Sequence, residues 1–97
     1  MPYITQEARD KLDPAIDQLA AAISTVASPI AGQRDSVVNY AITNLVMYGL
    51  LPESRLSYER LERCIGVLEC AKLELYRRLV VPYEDRKAAE NGDVYGR

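Results

Sequence analysis

Ser57 to Val81, SYERLERCIGVLECAKLELYRRLVV, is the stretch that decides the fold. Leu61, Cys64, Ile65, Leu68, Leu75 and Leu79, with Ala71 or Lys72 in the middle turn, follow the three-and-four spacing of one helical face. Ser57 is placed to cap the start. Glu59 with Arg63 and Glu74 with Arg78 are four apart in the favourable order, and Arg77 and Arg78 stand near the C-terminus, where the helix dipole favours cations. At 1.5 Å per residue the helix would be roughly 37 Å long. Val67, Cys70, Leu73 and Tyr76 widen its apolar surface, so burial on more than one side is expected, and self-association through this long helix is the simplest account.

Downstream, Val81-Pro82 is expected to break the helix, because a residue before proline is pushed away from helical angles. Pro82 would open a short last helix to about Glu90, stopped by Asn91-Gly92, with residues 91–97 a turn and tail. Upstream, Thr5 is an N-cap, and Leu12, Ile16, Leu19, Ala20, Ile23 and Val26 form a stripe over about 5–27. Pro14 lies inside it, so that helix bends or restarts there. ASPIAGQR (27–34) reads as a loop. Asp35 or Ser36 then caps a second helix, apolar at Val37, Val38, Ala41, Ile42, Leu45 and Val46 and ended by Gly49 with Pro52, before a connection over 51–56 with Pro52 and Ser54. The expected fold is all-α: one domain over 1–97, a small bundle of three main helices plus a short C-terminal one, assembled as a homo-oligomer.

Composition narrows the function. A hydrophobic share of 48% rules out a wholly disordered chain. Net charge is −2 and no segment is a basic block, so nucleic acid is disfavoured as a partner. There is no His, which removes the usual general base, the commonest zinc ligand and any Ser–His or Cys–His nucleophile; an enzyme is disfavoured. Cys64 and Cys70 are six apart and point to different sides of a helix, as two free thiols that read as small core hydrophobes of a reducing cytoplasm. The N-terminal residues lack a signal-type apolar core and no apolar run approaches 18 residues, so no membrane is expected. Seven Tyr stand for all the aromatics, and Tyr favours half-buried edges, interfaces and ligand pockets.

Two constellations could carry chemistry. Glu69, Lys72 and Tyr76 are spaced i, i+3 and i+7 and would share a face, with Arg77, Tyr83 and Arg86 following and Tyr95 in the tail. Tyrosines beside Lys and Arg can stack on a base and grip a phosphate. Asn39 and Thr43, four apart, could bond base or ribose together. The same spacing also describes a Lys–Glu pair with interface tyrosines, and a solvated Asn and Thr. The second constellation is acidic: Glu59-x-x-Glu62 and Glu90-x-x-Asp93 loosely resemble the carboxylate pairs with which all-α nucleoside triphosphate pyrophosphohydrolases of the MazG type hold Mg²⁺. Asn91-Gly92 interrupts the second pair, and Arg60 and Arg63 sit among the first.

MPYITQEARDKLDP (1–14), NYAITNL (39–45), GVLECAKLELYRR (66–78) and PYEDRKAAENGDVY (82–95) together resemble a family of small uncharacterised proteins of bacterial, archaeal and phage genomes, a domain of unknown function. That resemblance implies no catalytic residue. The expected function is a non-enzymatic small binding protein without a cofactor, in one concrete form a phage-type protein that sequesters a nucleotide signal of bacterial anti-phage defence. The alternatives are the Mg²⁺-dependent pyrophosphohydrolase, or a purely protein-binding structural subunit.

Overall fold

A computed structural model of the chain describes residues 2–27, 32–51 and 55–96. It holds α1 (Gln6–Ala27), α2 (Arg34–Leu50), α3 (Tyr58–Leu75), a π-helical turn (Tyr76–Val80) and α4 (Val81–Asn91), and no strand among the described residues. The fold is all-α. Residues 28–31 of the expected first loop, and Pro52 and Ser54 of the second connection, lie outside the described residues.

The helix starts follow local chemistry at two of three places. Thr5 Oγ1 accepts the Ala8 N–H at 3.2 Å, and Ser57 Oγ accepts the Arg60 N–H at 3.2 Å, so both expected N-caps satisfy an orphan donor of the first turn. α2 differs. It starts at Arg34 behind Gln33, which gives no side-chain cap, so neither Asp35 nor Ser36 is the cap. Gly32, at φ 90°, takes the positive-φ step that a residue with a Cβ avoids, and the chain enters the helix directly after it. α1 runs unbroken through Pro14, which neither splits nor restarts it.

The described chain falls into two compact units, Tyr3–Cys64 and Ile65–Arg97 with Met1–Pro2. Within Tyr3–Cys64, α1 packs on α2. Half-buried Leu19 and Ile23 and buried Ala27 run along α1 at four-residue spacing, and half-buried Val37, Ala41 and Asn44 along α2. Arg34 Nη1 donates to Ser24 Oγ at 3.3 Å and ties the start of α2 to the end of α1. The rest of the expected α1 stripe, Leu12, Ile16, Ala20 and Val26, is exposed. The core is thin: among the described residues only Ala27 and Cys64 are buried.

In the unit from Ile65 onward the expected break at Val81-Pro82 does not occur. Val80 and Val81 keep helical angles, and the chain passes from α3 through Tyr76–Val80 into α4. Proline has no N–H for the carbonyl four residues back, here Arg78, and its ring crowds that carbonyl. A wider turn relieves the crowding without ending the helix: the Val81 N–H donates to the Tyr76 carbonyl, five residues back. α4 stops where expected, at Gly92 (φ 92°), whose N–H donates to the Ala88 carbonyl at 2.9 Å. Cys70 is exposed and so is not a core residue, whereas Cys64 is buried; both are free thiols. No described helix is long and apolar enough to cross a membrane.

Candidate functional site

The ligand residues expected from the sequence separate into small groups. In the unit from Ile65 onward, Lys72 and Tyr76 line one hollow of about 380 Å³ with Leu73, Leu75 and Val80. α3 brings Lys72 and Leu75 to its rim, and the π turn brings Tyr76 and Val80. Its walls are apolar, so Lys72 lines it through its methylene stem, while the ammonium pairs with Glu69 at 3.1 Å in the open. The Lys–Glu pair is therefore solvated, and worth little to stability. Arg77 Nη2 donates to Glu74 Oε1 at 2.6 Å, so Arg77 is held along α3 by its own helix.

Tyr83 and Arg86 form a second group on α4. The Arg86 guanidinium lies 6.0 Å from the Tyr83 ring centre and the Lys87 ammonium 5.7 Å. Such cation–π contacts are worth about 0.5–1 kcal/mol at exposed sites. Tyr95 belongs to neither group. It lines a separate hollow of about 400 Å³ with Glu84, Asp85, Lys87 and Asp93. Asp93 Oδ1 accepts the Tyr95 N–H at 2.8 Å, a turn that fixes the tail beside α4. Three carboxylates around that ring make a poor place for a phosphate.

Asn39 and Thr43 lie on α2, in the other unit. The Thr43 hydroxyl donates to the Asn39 carbonyl at 2.9 Å, a bond back to its own helix, and the Asn39 side chain edges a shallow hollow with Asp35 and Ser36. The acidic residues do not gather either: no group of three or more Cys, Asp or Glu side chains that could hold a metal is found among the described residues. Glu59 pairs with Arg63 at 2.9 Å and Glu90 with Lys87 at 3.3 Å. Glu90 is on α4 while Asp93 lies past Gly92, outside the helix, so those two do not share a helical face.

Two features were not anticipated. One is the π turn, whose only signal in the sequence is a proline four residues after Arg78 in an otherwise helical run. The other is an apolar groove of about 350 Å³ between α1 and α2, walled by Leu19, Ile23, Val26, Tyr40 and Leu45 among others and by no charged side chain. The charge-free run Ser36–Leu51 was its signal.

A family model described as a domain of unknown function (DUF6899) matches residues 1–94, and the chain belongs to that family. No curated protein matches, and no solved structure does.

Proposed function

We propose that this DUF6899 chain is a non-enzymatic binding protein whose copies assemble with one another and hold a small nucleotide. The observation that carries the reading is the imbalance between core and surface. Two described residues are buried, while all seven tyrosines are half exposed or more. Folding must offset about 1–2 kcal/mol of backbone entropy per residue, and apolar burial is the main source of that stabilisation. A chain this short with so thin a core is stabilised when further copies cover its apolar faces.

The nucleotide part of the reading rests on the hollow beside the π turn. Tyr76 offers a ring for a base to stack on, Lys72 lines the hollow with its stem and carries a cation that could leave Glu69 for a phosphate, and π turns recur at functional sites. Nothing in that hollow activates a nucleophile, so the reading is retention rather than conversion. Sedimentation of the pure chain tests assembly: two or more copies per particle are expected, and a monomer at all concentrations overturns it. Isothermal titration with cyclic and linear nucleotides tests the ligand: heat that Tyr76→Ala and Lys72→Ala weaken at least tenfold is expected. No heat with any nucleotide overturns that part and leaves assembly standing.

A further inference from the structure

We propose that Pro82 is a positioning residue of the Tyr76 hollow: it holds the π turn open, and a ligand of that hollow binds the widened turn alone. This rests on the nucleotide reading of the hollow and adds what shapes it and what its occupancy is coupled to. Pro82 is exposed and is not among the residues that line the hollow. Its effect there passes through the backbone of the turn between them.

The residues of the hollow show how. Lys72, Tyr76 and Val80 follow one another at four-residue steps. On a regular helix such residues stand in one row, with Cβ atoms about 5–6 Å apart and each side chain lying back over the one before. Here the Val81 N–H bonds the Tyr76 carbonyl, so Val81 rather than Val80 completes the turn above Tyr76. Val80 is swung out of the row. It is half-buried, while Lys72, Leu73, Leu75 and Tyr76 are exposed. The hollow of about 380 Å³ lies where the row is broken, with Val80 as its most covered wall.

A proline inside a helix does not by itself demand this turn. Pro14 lies within α1, which passes through it as continuous α-helix. One chain thus accommodates the same residue type in two ways, and the widened way occurs at the hollow. Two states of one element follow. With Pro82 the α-helical bond to the Arg78 carbonyl has no donor, and the widened turn is the one that forms. With an N–H at position 82 the α turn competes, and a ligand must select the widened minority. Apparent affinity then falls by the fraction of chains still widened, and the ligand in turn raises that fraction.

The test is isothermal titration of the full chain with ATP, GTP and the cyclic mono- and dinucleotides of adenosine and guanosine, wild type beside Pro82→Ala and Pro14→Ala. Carbon chemical shifts over 76–80 are followed with and without nucleotide. Free Pro82→Ala is expected to show α-helical shifts there and to bind at least tenfold more weakly than wild type, whereas Pro14→Ala binds as wild type does. Saturating nucleotide is expected to return the Pro82→Ala shifts toward wild-type values, a response that loss of general stability would not give. A loss below tenfold, an equal loss in Pro14→Ala, or shifts that the substitution or the ligand leaves unmoved overturns the inference and leaves the nucleotide reading standing. A wild type that gives no heat with any of these nucleotides overturns both.

Discussion

α2 and the helical run from α3 through the π turn are of similar apolar character but are stabilised in different ways. Tyr58–Val80 carries nine charged residues, whereas Ser36–Leu50 carries none. The longer run has a wet side with its own supports: the Ser57 cap, the Glu59–Arg63 and Glu69–Lys72 pairs and the Glu74–Arg77 bridge. α2 has no side-chain cap and, past Asp35, no ion pair among the described residues. Apolar content therefore does not tell the two helices apart. The distribution of charge around the axis does, because a charged side chain must keep a route to water.

The strongest way to break that comparison is to put the same charge on both helices. Leu45→Glu is expected to lower the stability of the assembled protein by about 3 kcal/mol or more. Ile65→Glu, at an exposed site of α3, is expected to change it by no more than about 0.5 kcal/mol. Urea unfolding at one protein concentration measures both, and equal losses would remove the distinction. Pro82→Ala probes why the long run leaves regular geometry. Restoring the N–H that can reach the Arg78 carbonyl is expected to convert the turn to α-helix, with a gain of up to about 3 kcal/mol. Hydrogen exchange at residue 82 and carbon chemical shifts over 76–80 report the change, and unaltered shifts would mean that proline is not its cause.

Smaller effects sharpen the account of the long run. Ser57→Ala is expected to cost about 1 kcal/mol by leaving the Arg60 N–H without its partner; no loss would show that the first turn is held otherwise. Glu59→Gln removes an exposed pair and is expected to cost less than about 0.5 kcal/mol, shrinking further in high salt. A larger, salt-independent loss would show that Glu59 is covered in the assembly.

What was legible in the sequence was local. Thr5 and Ser57 are caps because a hydroxyl there reaches an N–H three residues on, whatever the rest of the chain does. Asn91-Gly92 ends α4 because only a residue tolerant of positive φ fits. Pro14 left two outcomes open, and α1 takes the unbroken one although residues 9–18 are all exposed. The start of α2 was misplaced because Gly32, not a side-chain cap, sets it. Pro82 was misread because a proline has two remedies in a helix, ending it or widening the preceding turn, and the residues alone do not choose. Of the candidate ligand residues, Lys72 and Tyr76 line one hollow, while Tyr95 lines another together with Glu84, Asp85 and Asp93. Spacing arithmetic gave no warning of that, since it assumes that one helical register persists.

That assumption has a definite failure point. A bond to the fifth residue back, in place of the fourth, holds one extra residue in the turn and rotates all that follows by roughly 100°. Tyr76 and Tyr83, seven apart, would lie nearly in line on a regular helix. Across this turn the same count puts them roughly a third of a circle out of phase, so the cation-flanked Tyr83 and the Tyr76 hollow belong to different faces. The turn thus acts as a phase shifter, letting a single rod of helix present two chemically different faces.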